Sequence, residues 1–245
     1  MSSEMPRLFL ARHGDTAWTD SRQRTGRTDL PLTEGGEERA RQLGERLRRF
    51  SFARVFTSPL QRASKTCALA GFGEVAEVDP DLVEWDYGRY EGQLTRQILK
   101  ERPGWEMFRD GCPGGESPQD VAARADRFIA RVHGVEGDVL AFSSAHIIRM
   151  IAARWLGLPP GAGRFFFCRP ANGGSPSQRA AIMRMICPLE NARLLPSISR
   201  ARAMKRSARL ATSCGDSPSG QPSRNISQPG RSVSICLVSI PSKRP

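Results

Sequence analysis

The most constraining feature of this sequence is an abrupt change in composition near residue 167. All 17 aromatic residues of the 245-residue chain lie at or before Phe167, and the 78 residues that follow contain none. Those 78 residues hold 9 of the 18 prolines and 14 serines. Because a folded core needs large apolar side chains, we expect one domain in residues 1–167 and a largely disordered tail in residues 168–245.

The charge of the chain changes at the same place. Residues 1–167 carry 24 basic and 23 acidic side chains, whereas residues 168–245 carry 13 basic and two acidic ones, a net charge of +11. Such a tail binds nucleic-acid phosphates non-specifically. It has no aromatic side chain on which a base can stack, so the sequence predicts only non-specific contacts with nucleic acid.

The composition also excludes several classes of protein. No apolar run approaches the roughly 20 residues of a membrane span, and the N-terminus lacks the apolar stretch of a secretion signal. The six cysteines have no paired CxxC spacing, which argues against a disulfide framework and a structural zinc site. We therefore expect a cytoplasmic protein that contacts no membrane and binds no metal.

Within residues 1–167, short apolar segments alternate with amphipathic helices. Thr33, Ser58 with Pro59, and Ser117 are predicted to begin helices, and a further helix is predicted from about Ala145. The predicted strands are residues 7–11, 53–57, 75–78 and 138–143. Alternation of this kind predicts an α/β fold with three layers, in which a mainly parallel sheet has helices on both faces.

Sheets of this type bind ligands where their strands end. Three junctions between a strand and a helix lie at such positions, namely residues 12–14, 58–62 and 144–149. They carry arginine and histidine side chains and the free N–H groups of helix N-termini. This combination favours an anion, above all a phosphate group.

The same junctions carry blocks that resemble the histidine phosphatase superfamily, which includes cofactor-dependent phosphoglycerate mutases and fructose-bisphosphatases. The resemblance covers about residues 6–167 and implies a fold similar to phosphoglycerate mutase. The matching blocks are LARHGDT at 10–16, TGRTDLPLT at 25–33, SPLQRA at 58–63, LVEWDYG at 82–88, GGES at 114–117 and IR at 148–149.

The resemblance implies a catalytic role for four residues. It makes His13 the nucleophile that accepts the phosphoryl group, and Arg12 and Arg62 the donors that grip the phosphoryl oxygens. Glu84 matches the proton donor to the leaving alkoxide. That role needs a carboxyl group kept protonated near neutral pH by burial or by the charge of the bound phosphate.

Three further residues, Thr25, Gly26 and Thr28, match the wall of the substrate pocket. They are expected to face the substrate through hydroxyl and backbone N–H groups, or simply to form a turn. Trp85 and Tyr87 are expected to pack in the core and not to stack on the substrate.

One position departs from the family pattern. The family's second catalytic histidine stands five residues before the arginine matched by Arg149, where this chain has Ser144. His146 lies two residues further on, and it reaches the phosphate only if the loop is changed, since residues two apart at a helix start point about 200° apart. Loss of one charged donor to the transition state costs on the order of 10²–10³ in rate.

The expected function is a phosphomonoester hydrolase that forms a phosphohistidine on small phosphorylated metabolites, impaired by Ser144 and needing no cofactor. Phosphoglycerate mutase activity is one alternative. A second alternative is a pseudoenzyme that binds phosphorylated ligands without efficient turnover. The sequence leaves the oligomeric state open.

The end of the domain is also unusual. After Phe167 the likeness stops where the family continues with another strand, so the domain is expected to lack its final strand and to expose a sheet edge prone to aggregation. A reading-frame change near codon 167 and a lineage-specific extension both explain the junction. Residues 182–186 and 232–240 are short apolar segments within the tail.

Overall fold

The computed structural model describes residues 7–166, Cys168, and the backbone of residues 182–186 and 236–238. All of these residues belong to one compact unit. The rest of residues 168–245 lies outside the described residues. The predictions of a disordered tail and of its contacts with nucleic acid fall on those residues.

The centre of the structure is a six-stranded sheet with the strand order β3-β2-β4-β1-β5-β6. The strands β1 to β4 pair in parallel, while β5 is antiparallel to β1 and β6 is antiparallel to β5. The strands are Arg7–Arg12 (β1), Arg54–Thr57 (β2), Ala76–Val78 (β3), Val139–Ser143 (β4), Ile182–Ile186 (β5) and Cys236–Val238 (β6). The predicted α/β class with a mainly parallel sheet is confirmed.

Seven α-helices occur in the described part of the chain. The first and shortest but one was not predicted from the sequence. They are Ala17–Ser21 (α1), Glu34–Leu47 (α2), Gln61–Leu69 (α3), Thr95–Glu101 (α4), Met107–Asp110 (α5), Pro118–His133 (α6) and Ala145–Trp155 (α7). Residues 79–116 contain α4, α5 and two short 3-10 turns.

Two apolar layers cover the two faces of the sheet, and the alternation along β1 shows how. Leu8 and Leu10 belong to the layer that includes Phe128 of α6 and Ile148 of α7, whereas Phe9 belongs to the opposite layer. That opposite layer includes Leu43 and Leu47 of α2 and Cys67 of α3. Successive side chains of a strand point to opposite faces, so one short strand anchors both layers.

Three predicted helix starts are confirmed, among them α7 at Ala145, and one is wrong. Thr33 and Ser117 cap α2 and α6 through their side-chain oxygens. The helix predicted to open at Ser58 and Pro59 instead begins at Gln61, because the carboxylate of Asp29 accepts a hydrogen bond of 2.8 Å from the backbone N–H of Gln61. The capping group thus comes from a segment 32 residues earlier in the chain.

The sheet edge expected to be bare is covered in the structure. The strand β5 runs antiparallel beside β1, with Leu8 opposite Met185 and Leu10 opposite Met183. The outer edge of β1 is therefore paired along Arg7–Ala11. A strand needs only backbone N–H and C=O groups to extend a sheet, so an apolar segment without aromatic residues can fill that place.

Candidate active site

The three predicted junctions meet at one edge of the sheet. The strand β4 lies between β1 and β2, and its carbonyl groups bind the residues that leave both neighbours. The backbone N–H of His13 donates to the Ser143 carbonyl at 3.0 Å, and that of Ser58 donates to the Phe142 carbonyl at 2.9 Å. The register of three parallel strands thereby brings the loops that follow them side by side.

His13 is held as a neutral imidazole with one defined tautomer. Its Nδ1 lies 2.6 Å from the carbonyl oxygen of Gly14, and because a carbonyl can only accept, Nδ1 carries the hydrogen. Burial and the positive charges of Arg12 and Arg62 lower the pKa of His13 to about 3. At neutral pH the lone pair on Nε2 is therefore free for nucleophilic attack.

Arg62 is fully buried at the start of α3. Its guanidinium donates to the backbone carbonyls of Thr28 at 2.8 Å, Gly26 at 2.7 Å and Thr25 at 3.3 Å. Its Nε donates to the hydroxyl of Ser144 at 3.3 Å. Arg62 is thus oriented by two other segments of the chain.

Arg12 directly precedes His13 in the chain. It ends β1 and is half-buried, and one guanidinium nitrogen donates to the backbone carbonyl of Cys168 at 3.1 Å. The positive charges of Arg12 and Arg62 both lower the pKa of His13, so both charges act on the predicted nucleophile.

Glu84 is buried, and its hydrogen bonds favour the ionised form of its carboxyl group. Burial alone raises the pKa of its carboxyl group, yet hydrogen bonds from His146 and from the backbone N–H of Trp85 lower it to about 2. The carboxylate accepts the backbone N–H groups of His146, Ile147 and Trp85, each at 2.9 Å. Glu84 therefore sits at the N-terminus of α7 as an anion, because helix N–H groups favour the charged form.

The loop that carries Glu84 is held in place by Arg124 and Glu116, and no sequence pattern predicted this contact. Arg124 of α6 donates to the carboxylate of Glu116 at 2.7 and 2.9 Å, and to the carbonyls of Asp81 and Val83 at 2.8 and 2.9 Å. Glu116 accepts in turn from the backbone N–H of Asp86 at 2.8 Å. The GGES block thus secures both ends of the loop around Glu84.

The segment of Thr25, Gly26 and Thr28 bends at Gly26, and two of its backbone N–H groups are already bound. Those of Gly26 and Thr28 donate to one carboxylate oxygen of Glu91, at 2.9 and 3.1 Å. These two N–H groups are therefore engaged within the protein in this conformation, and a role of the segment in the substrate pocket stays a prediction. No local sequence signal marked Glu91, because its two partners lie 65 and 63 residues earlier in the chain.

Ser144 and His146 lie near different groups. The hydroxyl of Ser144 contacts Arg62, whereas the ring of His146 shares a hydrogen bond of 2.6 Å with the hydroxyl of Tyr87, and its Nδ1 lies 3.6 Å from Glu84. Burial lowers the pKa of His146 to about 4, so the ring is neutral at neutral pH. Tyr87 and Trp85 are both buried, which agrees with their predicted packing role.

Among the described residues, no group of three or more histidine, cysteine, aspartate or glutamate side chains is arranged to hold a metal ion. In that same part of the chain, no helix combines the length and the apolar character that crossing a bilayer requires.

Three curated proteins show clear similarity to this chain. Sedoheptulose 1,7-bisphosphatase of Saccharomyces cerevisiae is 40% identical over 191 residues, which cover 64% of this chain and 70% of the yeast protein. An acid phosphatase of Mycobacterium tuberculosis is 40% identical over 172 residues, covering 69% of this chain and 84% of that protein. A probable phosphoglycerate mutase of Salmonella choleraesuis is 34% identical over 134 residues, covering 51% of this chain and 62% of that protein.

Solved structures agree with these relatives. The structure of an open reading frame of Mycobacterium tuberculosis has a TM-score of 0.66 and 37% identity, and the match covers 74% of this chain and 90% of that one. A mycobacterial glucosyl-3-phosphoglycerate phosphatase in complex with VO3 has a TM-score of 0.61 and 27% identity over 74% of this chain and 92% of the other. The model of the histidine phosphatase superfamily, branch 1, matches residues 8–173, and this chain belongs to that superfamily.

Proposed function

We propose that this chain is a phosphomonoester hydrolase that works through a phosphohistidine at His13 and turns over slowly because of Ser144. The observation that carries the proposal is the state of His13, whose Nδ1–H is bound to the Gly14 carbonyl while two arginines and burial keep the ring neutral. A neutral imidazole with a free Nε2 lone pair is a competent nucleophile towards phosphorus.

The reaction has two steps. In the first, Nε2 of His13 forms a bond to phosphorus as the bond from phosphorus to the ester oxygen breaks, and the leaving oxygen takes a proton. In the second, water attacks the phosphohistidine, releases inorganic phosphate and regenerates the imidazole. Arg12 and Arg62 hold the phosphoryl oxygens and oppose the charge of the transition state in both steps.

Glu84 is the residue that protonates the leaving group in this proposal. It is ionised in the described state, so it has to gain a proton when substrate binds. A phosphoryl dianion beside a carboxylate disfavours a second negative charge and raises the pKa of that carboxyl group. Esters with acidic leaving groups, such as p-nitrophenyl phosphate, depend least on this proton.

Ser144 is the reason for the slow turnover in this proposal. A serine hydroxyl is neutral, and here it accepts a hydrogen bond from Arg62, whereas a protonated imidazole supplies a charged donor. A protein that binds phosphorylated ligands with little turnover is the second candidate function, favoured by this same residue and by the ionised Glu84.

Small phosphorylated metabolites with a second anionic group are the proposed substrates. The positive charges of Arg24 and Arg149 lower the pKa of His146. Within the described residues neither arginine forms an ion pair with a carboxylate, so both can attract a second anionic group of the substrate. The relatives include a sugar bisphosphatase, and the solved structures include a glucosyl-3-phosphoglycerate phosphatase. We favour hydrolysis over the mutase alternative, since two relatives with 40% identity carry phosphatase names.

The test is to trap a phosphoryl group on the protein with a labelled phosphomonoester, followed by rapid quenching. We expect label that is labile in acid, stable in base and located at residue 13, and no label in the His13→Ala variant. Equal labelling of the variant would refute the proposed nucleophile. Label that forms but does not turn over would support the second candidate.

A further inference from the structure

The residue that remains without a role is Glu91, which lies in the turn after Tyr90 and has no place in the phosphoryl chemistry. One of its carboxylate oxygens accepts two backbone N–H groups, and the other is buried without a hydrogen-bond partner among the described residues. Burying a carboxylate oxygen costs free energy of folding unless the group forms compensating interactions with its neighbours.

The neighbours of Glu91 are the same segment that holds Arg62. The peptide group between Thr25 and Gly26 is bound at both ends, because its carbonyl accepts from Arg62 at 3.3 Å and its N–H donates to Glu91 at 2.9 Å. The carbonyls of Gly26 and Thr28 accept from Arg62 as well. A negative group and a positive group are thereby joined through a short piece of backbone.

The turn that carries Glu91 is fastened to the same segment by further backbone bonds. The N–H of Gly92 donates to the Arg24 carbonyl at 2.9 Å, and the N–H of Arg24 donates to the Gln93 carbonyl at 3.0 Å. The close packing leaves no room for a side chain at residue 26, where a Cβ atom would lie 2.5 Å from the Trp85 carbonyl and 2.6 Å from Glu91. Glu91 is therefore held in register with the carbonyls that orient Arg62.

We propose that Glu91 is a positioning residue for phosphoryl binding, which acts by fixing the carbonyl groups of Thr25, Gly26 and Thr28 that aim the guanidinium of Arg62. It touches no substrate atom in this proposal. The role rests on the proposed function of Arg62 as a phosphoryl-gripping side chain, and it predicts that hydrogen-bond geometry at residue 91 matters more than charge.

Two variants separate geometry from charge. Glu91→Gln keeps an oxygen that can accept both N–H groups and removes the charge, whereas Glu91→Asp keeps the charge and withdraws the carboxylate by one methylene group. We expect the affinity for inorganic phosphate, measured by calorimetry, to stay within about threefold of wild type in Glu91→Gln. In Glu91→Asp we expect it to fall about tenfold, the effect of about one lost hydrogen bond of ordinary strength.

The matched control is Glu101→Ala, which removes an exposed carboxylate from α4 and should leave phosphate affinity unchanged. A double-mutant cycle with Arg62→Lys tests the route of the effect, because a role exercised through Arg62 shrinks when that guanidinium is absent. Thermal unfolding of each variant shows that the protein is folded under the binding conditions.

Three results would overturn the proposal: wild-type phosphate affinity in Glu91→Asp, an equal loss in Glu91→Gln, or an undiminished effect of Glu91→Asp in the Arg62→Lys background. Phosphate binding requires no turnover. Failure to trap phosphohistidine at His13 would therefore overturn the proposed hydrolase and leave the positioning role of Glu91 to be judged by these affinities.

Discussion

Replacing Ser144 with histidine should raise the rate of phosphoryl transfer, and the structure gives the size of the effect. Ser144 is fully buried and directly precedes α7. Its hydroxyl oxygen accepts a hydrogen bond of 3.3 Å from Nε of Arg62. One oriented charged donor to a transition state is worth on the order of 10²–10³ in rate, about 3–4 kcal/mol. We expect a gain of that order for hydrolysis of a phosphomonoester.

The same substitution is expected to lower the free energy of unfolding, so the experiment needs a stability control. An imidazole is larger than a hydroxymethyl group, and overpacking a buried site costs about 1–3 kcal/mol. Ser144→Ala removes one long hydrogen bond and leaves Arg62 with its three backbone carbonyl partners, so its hydrolysis rate should stay within a few-fold of wild type. Urea denaturation of both variants separates a loss of folded protein from a change in chemistry.

The assay is pre-steady-state release of p-nitrophenol from p-nitrophenyl phosphate, with His13→Ala as the background. In wild type we expect slow release in both the burst and the steady-state phases. In Ser144→His we expect both phases to accelerate. A Ser144→His variant that is folded, binds inorganic phosphate and hydrolyses the ester at the wild-type rate would refute the reasoning, because the missing imidazole would then not limit turnover.

Three further predictions follow from the buried charges and the bend at Gly26. The free energy of unfolding should fall as the pH drops from the ordinary histidine pKa of 6.5 towards about 3. The reason is that the unfolded chain binds a proton at residue 13 in this range and the folded chain does not. Urea titrations should show a smaller fall in His13→Asn. Arg124→Met should destabilise the fold by about 3–5 kcal/mol in urea, since it removes both guanidinium hydrogen bonds to the Glu116 carboxylate and those to two loop carbonyls, and an unchanged midpoint would contradict this. Gly26→Ala should weaken binding of inorganic phosphate measured by calorimetry, because the added methyl group collides with the Trp85 carbonyl and displaces the bend that holds Arg62; wild-type affinity would count against that role of the bend.

Local sequence patterns predicted most of the elements that place the site. The alternation in Arg7–Arg12 and the capping residues Thr33 and Ser117 depend on neighbours within a few positions, and the structure has a strand and two helices there. Elements whose ends depend on distant groups were predicted less well. The start of α3 at Gln61 depends on Asp29, which no pattern around residue 58 indicates.

The site shows the same division. Arg12, His13 and Arg62 follow the ends of strands, and parallel strands end at one edge of a sheet, so their meeting is predictable from order and direction alone. The charge of Glu84 cannot be predicted in this way, because it depends on N–H groups of α7 that lie 62 and 63 residues further along the chain.

By itself, the sequence determined the family and the α/β class, and it named the groups that we propose attack and hold a phosphoryl group, because motif order and strand–helix alternation are properties of the linear chain. The tertiary structure alone decided that Glu84 is an anion in this state, that Glu91 occupies the N–H groups expected for substrate, and that a strand covers the outer edge of β1. Protonation states and hydrogen-bond partners are set by which groups are close in space and how far water is excluded, and neither can be read from separation along the chain.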